Sequence, residues 1–150
     1  MTTTPAVLAS HPFLAALPGT WAEHLAAGAT LMPLQPDAYL AREGEAAESF
    51  YLIRSGRVAI ELQHPLRGTV PVQTVGPGEV VGWSWLIPPH TWQFDARVVT
   101  AGEALAFEAV WLRAQLDAHP DVAVPALKEM LHVLAGRLAA TRLHCLDLYR

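Results

Sequence analysis

Cysteine is nearly absent from these 150 residues: Cys145 stands alone. No intrachain disulfide can form, and a thiolate-based zinc or iron–sulfur site lacks its ligands. Charge is scarce too, at 16% Asp, Glu, Lys and Arg against about 25% in an average soluble domain. Basic residues are the rarer sign, ten against fourteen acidic ones, for a formal net charge of −4. No Lys/Arg stripe is present that could follow a phosphate backbone, so direct nucleic-acid binding is not expected. The amino terminus has no basic n-region, and Pro12, Pro18, Trp21 and Glu23 interrupt any secretory apolar run. No stretch reaches the roughly 20 apolar residues that cross a bilayer. These absences together predict a soluble, cytoplasmic protein.

Apolar surface, in contrast, is plentiful, with 52% hydrophobic residues. A chain of this length folds as one domain and buries roughly two thirds of its unfolded surface. With few charges to cover the rest, an apolar face hidden by self-association is expected.

Periodicity divides the chain into a tail over residues 1–9, short helices, a β region over 30–107 and C-terminal helices over 108–150. Ser10 is placed to cap a helix over His11–Leu17 that Pro18 and Gly19 end. A second helix runs from Thr20 to Ala27 and stops at Gly28. Between Thr30 and Phe107, short segments rich in Val, Ile, Leu and aromatics alternate with turn residues: Pro36-Asp37, Arg42–Glu45, Ser55-Gly56, His64–Gly68, Gly76–Gly78, Pro88-Pro89 and Ala101-Gly102. Turns at such regular spacing predict an antiparallel β-sandwich or jelly-roll barrel, with helices at both ends. No internal repeat or linker argues for a second domain.

The carboxyl-terminal third predicts one helix over Glu108–Ala118, a break at His119-Pro120, and a long helix from Asp121 to Leu148. Leu127, Leu131, Leu134, Leu138, Thr141, Cys145 and Leu148 recur there at alternating spacings of four and three, the seam of a two-helix coiled coil. Met130, Val133 and Ala140 form a second stripe that can face the protein's own sheet. A homodimer joined through this helix is the expectation, with Thr141 and Cys145 as weak points in the seam.

Little in the sequence supports catalysis. The seven histidines include no His-x-His pair and no His-Glu-x-x-His helix. His144 and Cys145 diverge by about 100° on a helix, which argues against a shared metal. No Gly-x-Ser-x-Gly elbow is present, and Glu43, Glu45 and Glu48 read as turn and rim residues. No metal site and no enzyme activity are expected.

The most informative stretch runs from Glu43 to Gly82. Tyr39–Glu45, Phe50–Ile53, Ser55–Val58 and Val75–Gly82 place Glu-Gly-Glu, an aromatic-Leu-Ile strand, a glycine turn and Gly-Pro-Gly-Glu in order. Gly44, Gly56, Gly76 and Gly78 are expected at positive φ in the tight corners. This pattern, followed by two helices, resembles the cyclic-nucleotide-binding domain of the catabolite-activator superfamily. The resemblance implies a phosphate-binding cassette after Gly82, in which a Glu grips the ribose hydroxyl and an Arg pairs with the cyclic phosphate. The family's transcription factors carry a DNA-reading helix-turn-helix domain after the long helix; if Arg150 ends the full protein, DNA reading in cis is not expected.

Both polar anchors are replaced. Trp83 follows Gly82 where the family has Glu, and Trp92 stands at the arginine position. Arg97 is the nearest basic residue; five positions from Trp92, it points to the opposite face of a regular strand. Asp95 and Arg97, two apart on one face, are placed to make a local ion pair. Loss of one buried charge pair costs about 3–5 kcal/mol, roughly a hundredfold or more in affinity. Tight binding of cyclic AMP or cyclic GMP is therefore not expected.

Gly82, Trp83, Ser84, Trp85, Trp92 and Arg97 are the candidate pocket residues. Their indoles either offer flat faces to a planar or apolar ligand or collapse together and close the cavity. The expected function is that of a non-catalytic regulatory or sensor module with a degenerate nucleotide pocket, binding a non-standard small ligand or a partner protein. The alternative is a genuine cyclic-nucleotide sensor, its phosphate site rebuilt from N–H groups at Gly82–Trp85 with Arg97 turned inward. A haem sensor using His90 is the outsider.

Overall fold

The computed structural model describes residues 8–147. Helices α1 (Pro12–Ala15) and α2 (Trp21–Ala27) precede strands β1 (Thr30–Leu34), β2 (Tyr39–Ala41), β3 (Ser49–His64), β4 (Gly68–Val75), β5 (Val80–Val81) and β6 (Asp95–Glu108). Helices α3 (Ala109–Ala118) and α4 (Pro120–Asp147) follow. Every strand pairing is antiparallel. The sheet runs β1-β6-β3-β4, with β2 added to β6 and β5 to β3. This is the expected antiparallel β-sandwich with flanking helices.

The long strands β3 and β6 carry the core. Phe50, Leu52, Ile53 and Val58 of β3 meet Val98, Ala104, Leu105 and Phe107 of β6, all fully buried. Two of the expected turns, at Ser55-Gly56 and Ala101-Gly102, are bulges inside these continuous strands instead. The register shifts between Ile53 and Val58, and Gly56 has a φ of +86°. A methyl group on Gly56 would press on the Thr100 carbonyl, and one on Gly102 on the Ser55 carbonyl. Backbones this close need glycine on both chains, and the result is a bend that re-aims the strands without reversing them. Gly44 and Gly78 take positive φ as expected; Gly76 does not, and Gly82 does.

At the amino end, Leu8 and Ala9 are buried in the core although the sequence puts them in a loose tail. The cap of α1 is His11 and not Ser10. His11 Nδ1 accepts from the Phe13 N–H at 3.2 Å, and its Nε2 donates to the Ile53 carbonyl at 3.1 Å. Phe13 then meets Phe50 edge-on at 5.3 Å between ring centres. A methyl group on Gly28 would collide with Trp111, so α2 sits hard against α3. His119 ends α3, as the His-Pro break predicts.

On α4, Val122, Ala126 and Met130 are buried and Val133 packs partly against the core. The seam positions Leu127, Leu131 and Leu138 are exposed at 40%, 65% and 51%. Leu134 is partly buried, while Thr141 and Cys145 are exposed. Leu148 lies outside the described residues.

His11 can serve as a cap only while Nδ1 is unprotonated. Burial holds its pKa below the ordinary value of 6.5, with the backbone bonds to Ile53 and Glu79 opposing that shift and Arg54 adding to it. The folded state therefore binds fewer protons than the unfolded one below that value, so the contribution is complete above about 6.5 and is lost as pH falls through the lowered pKa. Urea midpoints measured from neutral to acid pH should fall across this window in the wild type and fall less steeply in His11→Gln.

Candidate functional site

The segment from Gly82 to Phe94 links β5 to β6. Gly82 takes a φ of +86°, which turns the chain out of β5 at no steric cost. Two tight turns follow, closed by Leu86 N–H to Trp83 O at 3.0 Å and His90 N–H to Ile87 O at 3.0 Å. The Pro88-Pro89 peptide is cis. The segment then runs alongside the β2–β3 corner. Gly44 N–H donates to Trp92 O, and Trp92 N–H donates to Glu45 O, each at 2.9 Å; Ala47 N–H donates to His90 O at 2.7 Å. The main chain of Trp92 is thus held from both sides.

Packing places the indole. The six-membered ring of Trp92 lies directly over Gly82, where a methyl group would overlap it, and its other side approaches Phe94 at 5.7 Å. Trp92 is 4% exposed and Trp85 1%. Trp85 stacks on Phe50 at 4.8 Å with ring planes 30° apart. Trp83 is partly buried and packs on the same core. Two of the three indoles therefore lie in the core and the third lies against it. The cavity that Trp92 lines, together with Tyr39, Arg42, Glu45 and Tyr51, has a volume of about 170 Å3, below the roughly 300–1,000 Å3 of small-molecule pockets. Ser84 is also buried; its Oγ and the Trp85 Nε1 have no hydrogen-bond partner among the described residues. Each such group costs about 1–3 kcal/mol, and aromatic packing offsets that cost.

Arg97 is not part of this cluster. It lies on the outer face of β6 between inward-facing Ala96 and Val98. Its Nε and a terminal nitrogen donate to the two carboxylate oxygens of Glu61, each at 3.2 Å, and its other nitrogen donates to Asp37 at 3.0 Å. The hydrogen bond with Glu61, then that carboxylate's charge, raises its pKa above the ordinary value. Strand parity does not relate Arg97 to Trp92, because β6 begins only at Asp95 and Trp92 lies outside it. The expected Asp95–Arg97 pair is not formed. Asp95, buried, instead accepts from the Glu43 N–H at 2.8 Å and Gln63 Nε2 at 2.9 Å. His90 has a φ of +58° and lines a separate groove of about 590 Å3 beside Glu108 and Arg113. Among the described residues no group of three His, Cys, Asp or Glu is placed to hold a metal ion, and no helix is long and apolar enough to cross a membrane.

Two residues at this site escape the sequence reading. Arg113 of α3 donates to the Trp85 carbonyl, and Arg137 of α4 donates to the Val80 carbonyl. The C-terminal helices are thereby fastened to the segment on both sides of Gly82. For Arg137 a signal exists: it fills the gap in the stripe Met130, Val133, Ala140 at the same three-four spacing.

Comparison with known proteins agrees with this geometry. A sequence model of the cyclic nucleotide-binding domain matches residues 31–119. No curated protein matches in sequence. Among solved structures, a candidate cyclic nucleotide-binding protein from Geobacter metallireducens GS-15 superposes with a TM-score of 0.79 at 20% identity, over 91% of this chain and 99% of that one. The N-terminal domain of a transcriptional regulator from Streptomyces coelicolor A3(2) gives 0.68 at 25% identity, over 92% and 94%. The regulatory subunit of a cAMP-independent protein kinase A from Trypanosoma brucei, as a triple mutant bound to cAMP in the A site, gives 0.72 at 20% identity, over 94% and 48%.

If Trp92 is a core residue, Trp92→Ala should cost about 3–5 kcal/mol in urea unfolding with an unchanged m-value. A loss under about 1 kcal/mol, the range of an ordinary surface substitution, would show that the ring carries no packing.

Proposed function

From the premise that this chain belongs to the cyclic nucleotide-binding domain family, whose members are regulatory and in general not catalytic, we propose that it is a regulatory module that no longer takes cyclic AMP or cyclic GMP. It responds instead to a different small ligand or to a partner protein. The observation that carries this reading is the Trp92 indole seated on Gly82, where the resemblance places an arginine for the cyclic phosphate. An indole offers one N–H donor and no charge, so it cannot replace a guanidinium opposite an anion. Regulation without cyclic AMP has a precedent on this architecture, since the trypanosome subunit belongs to a kinase described as cAMP-independent.

The rebuilt-sensor alternative needs Arg97 at the cassette, and its guanidinium is committed to Glu61 and Asp37. Isothermal calorimetry with cyclic AMP and cyclic GMP divides the two. The wild type should show no binding tighter than about 1 mM, roughly 4 kcal/mol. Micromolar binding that Arg97→Ala abolishes would establish the sensor instead.

The module acts as a homodimer through α4. Leu127, Leu131 and Leu138 present an apolar row to solvent while the adjacent face of the same helix, Val122, Ala126 and Met130, is buried, the pattern of a helix that packs on its own domain and on a copy. Light scattering at micromolar concentration should give a dimer for the wild type and a monomer for Leu134→Glu; a wild-type monomer would refute this part.

A further inference from the structure

Beyond the cassette, α4 and the corner between β4 and β5 enclose a cleft of about 370 Å3. Its lining includes Gln73, Glu79, Glu129, Val133, Gly136 and Arg137, and no residue between Gly82 and Trp92. A second groove of about 290 Å3 along Val72 and Ala140 shares Gln73 and Arg137 with it, so Arg137 stands where the two meet. Arg137 donates to the Val80 carbonyl and forms no ion pair among the described residues. Burial pushes its pKa below the ordinary value, and Glu79 partly opposes that shift. A guanidinium has five N–H donors, and buried charges are as a rule paired. Arg137 is half-buried, and Glu79 acts on it from nearby without forming an ion pair among the described residues, which leaves guanidinium N–H groups for a guest.

The rest of the cleft indicates the character of that guest. Glu129 and Arg137 both line it and lie eight residues apart on α4, about 12 Å along the axis, with Val133 between them. Gly136 leaves open space, since nothing lies within 4 Å of where its Cβ would be. Glu79, Glu129 and His132 line the cleft together with Arg137, so a purely anionic guest meets two carboxylates against one guanidinium. A guest with both charges meets complementarity at each end.

We infer that this cleft binds a small zwitterion of the amino-acid class, its carboxylate on Arg137, its apolar stem along Val133 and Gly136, and its ammonium group at Glu129. The inference rests on the reading of the protein as a binder of something other than a cyclic nucleotide. The two fail separately, because cyclic nucleotides test that reading and the probes below test this one.

The test is calorimetry with three probes of matched length: ε-aminocaproate, caproate and hexylamine. The zwitterion should bind at least about tenfold more tightly than either single-ended probe, and Arg137→Met should weaken it by about tenfold or more. Gly136→Leu should fill the cleft and abolish binding while keeping or raising the melting temperature, since leucine is the better helix former. This second variant carries the test should Arg137→Met fail to fold. Caproate binding as tightly as ε-aminocaproate, unchanged binding in Gly136→Leu, or no binding of ε-aminocaproate by the wild type would each overturn the inference.

Discussion

The contact on which the site depends is that of the Trp92 indole with the bare backbone of Gly82. Only glycine permits it, on two counts: the φ of +86° and the absence of a Cβ where the ring lies. The backbone from which the ring projects is held, because the N–H and C=O of Trp92 are both paired with the β2–β3 corner. Ring burial adds an apolar contribution of about 2–3 kcal/mol to that clamp. Trp85 stacks on Phe50 in the same core. On the proposed reading, the segment has exchanged charge recognition for packing while the strands that position it are retained.

Around this contact the helices are attached through two arginines. Arg113 and Arg137 come from different helices and end on the carbonyls of Trp85 and Val80, three residues after and two before Gly82. Hydrogen bonds from a charged donor are about twice as strong as neutral ones. The helix with the exposed leucine row is thereby tied to the strand that leads into the Gly82–Phe94 segment. On the proposed dimer, a ligand that alters the Arg137 contact acts on the same helix that joins the two copies.

Much of this was legible in the sequence, and for identifiable reasons. Alternation and turn spacing predicted the antiparallel sheet, and the His119-Pro120 break separated α3 from α4 correctly, because these signals are local. The burial of Trp85 and Trp92 was one of two outcomes the sequence left open, since three indoles in one short segment either line a pocket or close it. What escaped depended on contacts between distant segments. Gly56 and Gly102 looked like turn residues because a bulge and a turn call for the same glycine; only the pairing of β3 with β6 tells them apart. His11 took the cap from Ser10 because the Ile53 carbonyl, 42 residues away, orients its ring. Asp95 and Arg97 did not pair because Glu61, Asp37, Gln63 and the Glu43 N–H, all on other segments, offered better-aligned partners. Arg137 was hidden in an apolar stripe, where a charge is easily read as facing solvent.

The most direct measurement of the central claim is the electron density at Gly82–Trp92 in crystals soaked with cyclic AMP. The account predicts the Trp92 ring against Gly82 and no nucleotide beside it. A nucleotide seated between β5 and a displaced indole, with its phosphate held by side chains of this protein, would contradict it.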